Sequence, residues 1–153
     1  MADRFLGATL IFLFGCMGAF AQPSVTSTKK SEVANPREYA PIQLKGSKLK
    51  DARKPCKGSL EECGNERLIL LGFEGLGGTD PDYPRNETFI FKSKKRTIGV
   101  FLLTMRGYED DSVDGERIRI SFIKNGNSWN FVNAGKQNYC TRGTKGWTKK
   151  LCI

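Results

Sequence analysis

The sequence predicts an all-β fold, a small antiparallel β-sandwich or partly open barrel of about six or seven strands held by two disulfides. Short segments that are wholly apolar, or that alternate between apolar and polar residues, recur between loops rich in Gly, Asn and Asp. One pair of these segments flanks a strong turn signal, and no convincing amphipathic helix is apparent. An even number of cysteines in the predicted mature chain indicates the disulfides.

Residues 1–21 are predicted to be a signal peptide. An apolar stretch at residues 5–20 ends in Ala19-Phe20-Ala21, a small-x-small pattern that favours cleavage before Gln22. An uncleaved membrane anchor is the alternative, but the stretch is short for a span and no later segment is apolar enough to cross a bilayer. We therefore expect a soluble, secreted protein of 153 − 21 = 132 residues, enough for one domain.

Residues 22–54 are predicted to form a disordered basic arm that precedes a β domain at residues 55–153. The arm is poor in large apolar residues, rich in Ser, Thr, Lys and Pro, and shows no periodicity. Its basic residues could reach an acidic partner or simply keep the arm solvated. Lys29-Lys30 is a candidate processing site, so the arm could also include a short propeptide.

Four of the five cysteines remain after the signal peptide, which contains Cys16. An even number in an oxidising compartment predicts two disulfides, for which three connectivities exist. One connectivity is local and pairs Cys56 with Cys63 and Cys140 with Cys152; the other two connect the start of the domain to its end. Because a disulfide that closes a longer loop removes more entropy from the unfolded chain, we slightly favour end-to-end pairing. The four residues are Cys56, Cys63, Cys140 and Cys152.

The first predicted strand lies at residues 67–73, where four consecutive apolar residues indicate a strand buried on both faces. A loop rich in Gly and Pro follows; it lacks the Lys-Ser/Thr ending of a phosphate-binding loop. Asn86-Glu87-Thr88 is an N-glycosylation sequon at the end of this loop. Asn86 is therefore a predicted glycosylation site.

A hairpin with a basic tip is predicted next, from strands at residues 88–91 and 97–104 joined by residues 93–96. The net charge of +9 favours acidic partners, and a polyanion requires several cations close together. The alternative is a solvated tip that discourages pairing between sheet edges. The candidate anion-binding residues are the basic tip, Lys92, Lys94, Lys95 and Arg96, and the carboxyl-terminal lysines, Lys145, Lys149 and Lys150.

The strongest turn signal is Asn125-Gly126, the preferred pair for a type I′ hairpin turn. That turn would place Phe122 opposite Trp129 and Ile120 opposite Phe131, so that four large apolar side chains share one face. Alternate positions on the opposite face are polar, among them Arg119 and Ser121. We interpret the aromatic residues of this hairpin as core rather than as a binding platform.

An acidic segment at residues 109–116 is a weak candidate calcium site, because clustered carboxylates on loops can supply the oxygen ligands that Ca²⁺ prefers. The segment lacks the full EF-hand spacing, and a solvated acidic loop is the alternative. Asp80 and Asp82 could join it from the Gly-rich loop. The candidate ligands are Asp110, Asp111, Asp114 and Glu116, next to Glu109.

The absence of histidine argues against most enzymatic mechanisms. It removes the Ser-His-Asp triad, the Cys-His dyad, histidine-dependent nucleases and the common histidine zinc sites. Oxidised cysteines would also remove thiolate catalysis. Only a carboxylate glycosidase remains as an enzymatic alternative, so we predict that the protein is not an enzyme and needs no cofactor.

The leading functional hypothesis is a secreted, non-catalytic module that binds an extracellular macromolecule through the basic tip and loops. Extracellular protein or anionic polysaccharide is the expected partner. Nucleic acid is a weaker candidate, because Trp129 is assigned to the core and only Trp147 or Tyr139 remain for stacking on bases. The alternative is a secreted ligand, inhibitor or toxin-like effector that acts on one protein target, with the charge serving only solubility.

Overall fold

The computed structural model describes residues 27–73 and 82–153. The predicted signal peptide at residues 1–21, and Asp80, lie outside the described residues. In chain order the elements are α1 (Lys30–Ala34), a 3₁₀ turn (Pro36–Glu38), β1 (Ala40–Ile42), α2 (Gly46–Ala52), α3 (Leu60–Leu71), β2 (Arg85–Lys92), β3 (Thr97–Arg106), β4 (Val113–Asn125), β5 (Ser128–Cys140) and β6 (Gly146–Thr148). None of the helices in these two ranges is long and apolar enough to cross a membrane.

The predicted β-rich antiparallel fold with two disulfides is confirmed. The six strands form one sheet. Five of them follow the order β1-β5-β4-β3-β2, and β6 pairs with residues 138–140 of β5, after the residues that pair with β1. No second sheet faces it among the described residues. Helices and the amino-terminal segment cover the two faces instead, because each face carries apolar side chains that must be removed from water.

The first face of the sheet packs against α3 and forms the main core. Leu60, Cys63 and Leu68 of α3 meet apolar side chains of the three central strands. Gly64 allows the helix to approach the ring of Phe101 so closely that a Cβ at this position would overlap the ring. The buried partners in the sheet are Phe101, Leu103, Met105, Ile118, Ile120, Phe122, Trp129 and Ala134.

The predicted strand at residues 67–73 is wrong, because these residues form the end of α3 and its cap. A capping box starts the helix: the hydroxyl of Ser59 accepts from the Glu62 amide at 3.1 Å, and the Glu62 carboxylate accepts from the Ser59 amide at 2.7 Å. Gly72, with φ +83°, ends it in the left-handed conformation. The buried positions follow helical spacing: Leu60, Cys63, Gly64, Arg67 and Leu68.

The segment predicted as a disordered arm at residues 22–54 is ordered over its described part, residues 27–54; residues 22–26 lie outside it. Val33 and Tyr39, 0% and 4% exposed, pack on the second face of the sheet against Val100 and Leu102. Residues 46–52 form α2, which packs on α3. The composition of this segment gave no sign of its order, because a few buried side chains and polar contacts to the sheet are enough to hold it in place.

The central hairpin forms, but its predicted register is wrong. The turn is at Gly126-Asn127, since Asn125 pairs with Ser128 and Gly126 has φ +56°. Glycine at the first central position is the type II′ arrangement rather than the predicted type I′. Phe122 consequently faces Phe131, and beyond a bulge Ile120 faces Ala134. The slip at the turn is two residues, so the same side chains stay on the core face.

Both disulfides are local, which corrects the expectation of end-to-end pairing. Cys56 bonds to Cys63 and Cys140 bonds to Cys152. The first turn of α3 brings Cys63 back to Cys56, whose backbone pairs with that of Trp129. The pairing of β6 with β5 returns the chain to Cys140. The local secondary structure therefore determined which cysteines pair, and the entropy of loop closure in the unfolded chain did not.

Candidate functional site

The basic tip forms as predicted, as the turn between β2 and β3. The backbone amide of Ser93 donates to the carbonyl oxygen of Arg96 at 3.0 Å, and the amide of Arg96 donates to the Ser93 hydroxyl at 3.2 Å. These bonds close a tight turn with Lys94 and Lys95 at its apex. All four side chains of the basic tip are exposed.

The carboxyl-terminal lysines lie at the opposite end of the sheet. The basic tip is next to the Ile98–Ile123 pair of β3 and β4, whereas β6 pairs with residues 138–140 at the far end of β5. Lys149 extends back across the second face, and its Nζ donates to the carbonyl oxygen of Arg37 at 2.8 Å. The sequence alone did not show that the tip and these lysines are separated.

Two adjoining cavities on the second face connect these ends, and we call them together the groove. The first cavity, of about 360 Å³, reaches Arg96 of the basic tip. The second, of about 790 Å³, is lined by Arg37, Lys149 and Lys150. Pro36 and Asn133 line both cavities. Four of the seven predicted basic residues line neither cavity: Lys92, Lys94 and Lys95 of the exposed turn, and Lys145 of the loop before β6. Arg96 lines the first cavity, and Lys149 and Lys150 line the second.

The predicted basic residues carry positive charge that no carboxylate within residues 27–73 and 82–153 neutralises. Ion pairs in the described ranges use other cations, for example Arg106 with Asp114, and Lys136 with Glu116 at 3.0 Å. None of the basic tip or carboxyl-terminal lysines pairs with a carboxylate of the described residues, and all seven are exposed. Their charge is therefore available to an external anion.

Two buried arginines beneath the amino-terminal segment were not identified as site residues from the sequence. Arg117 pairs with Glu32 at 3.0 Å and is 7% exposed. Arg119 is 3% exposed, and its Nε donates to the carbonyl oxygen of Val33 at 2.8 Å. Burial lowers the pKa of Arg119 from its usual value, because desolvation penalises the charged form. The available signal was the alternation of both arginines with Ile118 and Ile120.

A hydrogen-bonded network joins Arg119 to the wall shared by the two cavities. Nη1 of Arg119 donates to the Ser121 hydroxyl, which donates in turn to Oδ1 of Asn133 at 2.8 Å. All three residues line the first cavity. The polar floor of this cavity is therefore a fixed array of side chains on β4 and β5.

The candidate calcium ligands do not converge in the structure. Asp110 accepts from the amides of Ser112 and Val113, and these bonds lower its pKa. The other three carboxylates pair separately, Asp111 with Arg142, Asp114 with Arg106 and Glu116 with Lys136. Across residues 27–73 and 82–153, no group of three or more His, Cys, Asp or Glu side chains is placed to hold a metal ion.

The aromatic residues considered for base stacking already have partners. Trp129 is 7% exposed and belongs to the core. The guanidinium of Arg117 lies 4.1 Å from the ring centre of Trp147, and that of Arg106 lies 3.8 Å from the ring centre of Tyr139. Neither ring lies in the basic tip.

The sequon is on the edge strand of the sheet. Asn86 is exposed on β2, and its Nδ2 donates to Oδ1 of Asn65 at 3.3 Å. The glycosylation of Asn86 stays a prediction.

No protein-family model, curated protein or solved structure matches the chain. Its function must therefore be inferred from the charges and contacts of the described residues.

Proposed function

We propose that the protein is a secreted, non-catalytic binding module that engages an extracellular anionic polysaccharide along the groove and the basic tip. The observation that carries the proposal is the position of Arg96 at one end of the groove and of Lys149 and Lys150 at the other. None of these three cations pairs with a carboxylate of the described residues.

A linear polyanion fits this arrangement because its charges repeat along its length. Cations separated by more than a Debye length, about 8 Å at physiological ionic strength, act on different charges of the ligand rather than on one. The two ends of the groove can therefore contact successive anionic groups of one chain. The net charge of +9 adds a long-range attraction that raises the rate of encounter.

The rigidity of the groove reduces the entropy lost on binding. The basic tip is closed by one backbone hydrogen bond and two bonds of the Ser93 hydroxyl between residues 93 and 96, and Lys149 and Lys150 follow β6 within the loop closed by the Cys140–Cys152 disulfide. Cations on such supports lose less freedom than cations on a floppy tail.

Anionic polysaccharide is favoured over nucleic acid because the aromatic side chains that line the groove are already occupied: Nζ of Lys30 lies 4.8 Å from the ring centre of Phe91, and Tyr39 is 4% exposed. Single-stranded nucleic acid gains much of its affinity from bases stacking on exposed rings. Trp147 and Tyr139 are instead packed against Arg117 and Arg106. Sulfate and carboxylate groups need only the cations.

An extracellular location is supported by the two disulfides and by the predicted signal peptide, since disulfides persist in oxidising compartments. A non-catalytic role is supported by the lack of histidine. The lowered pKa of Asp110 also makes that carboxyl a poor proton donor for a glycosidase.

The test compares retention on heparin with retention on a plain cation exchanger of matched charge. Elution from heparin at higher salt is expected. The variant K94Q/K95Q/R96Q should then lose more retention on heparin than K48Q/K50Q/R53Q, which removes the same charge from exposed positions on and next to α2.

Equal elution from both columns would overturn the polysaccharide proposal, and equal losses in the two variants would overturn the assignment of the site. A protein target that remains bound to K94Q/K95Q/R96Q in moderate salt would instead support the alternative of a secreted ligand or inhibitor.

A further inference from the structure

We propose that the first cavity of the groove is a separate binding site for a small monocarboxylate with an apolar body, in which Arg119 binds the carboxylate. This inference does not depend on polysaccharide binding, because it rests mainly on Arg119, which the polysaccharide proposal does not use, and on the apolar walls of the cavity.

Arg119 is a buried cation without an anionic partner. It is 3% exposed and forms no ion pair within the described residues. Its neighbour Arg117, on the same face of β4, is paired with Glu32. Burying a charge is costly unless an opposite charge or several hydrogen bonds compensate it, so an incoming carboxylate would supply what Arg119 lacks.

Arg119 also has donor capacity to spare. Nε bonds to the carbonyl oxygen of Val33, and Nη1 bonds to the hydroxyl of Ser121. In the described part of the chain, no acceptor is hydrogen-bonded to Nη2. A guanidinium has five N–H donors in a planar fork that matches a carboxylate. Arg96, which also lines the cavity, adds a second cation.

The walls of the cavity determine the rest of the ligand. They are mostly apolar side chains of the sheet and of the segment after α1: Ala34, Pro36, Phe91, Ile98, Ile123 and Val132. Such walls do not favour a hydroxylated sugar inside the cavity, whose polar groups would lose water without gaining partners. A polysaccharide that contacts the charged ends of the groove would instead lie across the mouth of this cavity. A volume of about 360 Å³ is at the small end of the range for ligand pockets, roughly 300–1,000 Å³. A short aliphatic or single-ring acid satisfies both conditions.

A β-bulge at this position supports a built site. Ser121 pairs with Asn133 while Phe122 pairs with Phe131, so Val132 is the extra residue of β5. The bulge breaks the alternation, and Val132 lines the cavity although it is 45% exposed. Bulges are frequent next to functional sites because they redirect a side chain.

Three probes separate the contributions of charge and apolar body: octanoate, 1-octanol and acetate. Octanoate should shift the backbone amide resonances of Ile98, Ser121, Ile123 and Asn133 in a titration followed by NMR. Octanol and acetate should bind at least about tenfold more weakly, because octanol lacks the carboxylate and acetate lacks the apolar body. Octanol binding as tightly as octanoate, or shifts confined to other residues, would overturn the proposal.

A pair of variants at Val132 tests the role of Arg119 without disturbing its bond to Val33. V132E places a carboxylate at the cavity, where it competes for Arg119, whereas V132Q adds an uncharged side chain of similar size. Octanoate affinity should fall at least about tenfold further in V132E than in V132Q. Equal affinities in the two folded variants would overturn the proposal.

The variant K94Q/K95Q distinguishes this inference from the proposed function, since neither lysine lines the cavity. It should lose heparin retention and keep octanoate affinity unchanged. A parallel loss of octanoate affinity would show that octanoate binds through the surface charge of the tip, and would overturn the cavity site alone.

Discussion

Nε of Arg119 donates a hydrogen bond of 2.8 Å to the carbonyl oxygen of Val33, so a buried cation in the middle of the sheet holds the backbone of α1. The side chain of Val33 is fully buried against Val100 and Leu102. Ala34 and Pro36, one and three residues further along the chain, form a wall of the first cavity. The docking of the amino-terminal segment and the shape of the groove therefore depend on the same contact.

Replacing Val33 with Ala should destabilise the protein by about 2 kcal/mol, because it removes two buried methyl groups and leaves space that α1 cannot easily fill. Val132→Ala is the matched control, since the same atoms are lost from a side chain that is 45% exposed. It should cost less than about 1 kcal/mol. Urea unfolding measures both values, and equal losses would contradict the docking of α1 on the sheet.

Gly64→Ala should destabilise the protein by about 3 kcal/mol, although alanine is ordinarily the better residue within a helix by about 1 kcal/mol. An added Cβ would overlap the ring of Phe101, which is fully buried and cannot move aside. At Gly58 the nearest atom to an added Cβ is the flexible carboxylate of Glu62, at 2.6 Å. Gly58→Ala should therefore cost less, about 1 kcal/mol, because that carboxylate can move aside at the expense of its hydrogen bond to the Ser59 amide. Thermal unfolding of both variants tests this, and a stabilised Gly64→Ala would show that α3 does not pack so closely.

The strands could be predicted from the sequence because alternation records which residues face the core. β2, β3 and their connecting turn lie where the pattern placed them. In β4 and β5 the pattern also assigned the core face correctly, although the pairing register at the turn was wrong. A slip of two residues leaves the alternation unchanged, so the pattern cannot detect it.

Helix α3 could not be recognised from its apolar pattern because two of its buried positions are atypical. Arg67 is 1% exposed, and its guanidinium donates to the carbonyl oxygens of Ala52 and Lys54 at 3.0 and 2.7 Å. Gly64 is buried because the sheet approaches closely there. The capping pattern from Ser59 to Glu62 was the signal that could have located the helix.

The candidate site, too, could be predicted from the sequence only in part. The exposed cations of the basic tip were predicted, because a turn between two strands necessarily projects its side chains into solvent. The groove was not predicted, because its walls come from the segment at residues 34–41 and from distant strands. Its polar floor depends on Arg119, Ser121 and Asn133, which a local pattern does not bring together.

Asn86 should be glycosylated when the full chain is produced in a eukaryotic secretory host. The residue is exposed on an edge strand, so that a glycan can extend into solvent and would also hinder pairing with another sheet edge. Loss of the 3.3 Å bond to Asn65 should cost less than about 1 kcal/mol at this exposed position. Glycosidase treatment followed by mass spectrometry should show a mass change in the wild-type protein and none in Thr88→Ala. An unchanged mass in the wild type would contradict the prediction.

The alkaline stability of the protein should depend on Tyr108, whose pKa is raised to about 12. Desolvation of the phenol is the main cause, and the nearby carboxylate of Glu116 adds to it. In the unfolded chain the pKa is 10.0, so the native state retains the proton between pH 10 and about 12 while the unfolded state loses it. The contribution of Tyr108 is therefore fully present below pH 10 and is lost as the pH rises towards about 12.

Tyr108→Phe should make the fall in unfolding free energy over this interval shallower, because phenylalanine has no proton to lose. Glu116→Gln should lower the pKa of Tyr108 only partly, since desolvation remains and is the larger cause. Urea unfolding at a series of alkaline pH values, together with phenolate absorbance of the native protein, measures both effects. Equally steep losses of stability in Tyr108→Phe and the wild type would mean that this phenol is as well solvated in the folded protein as in the unfolded chain.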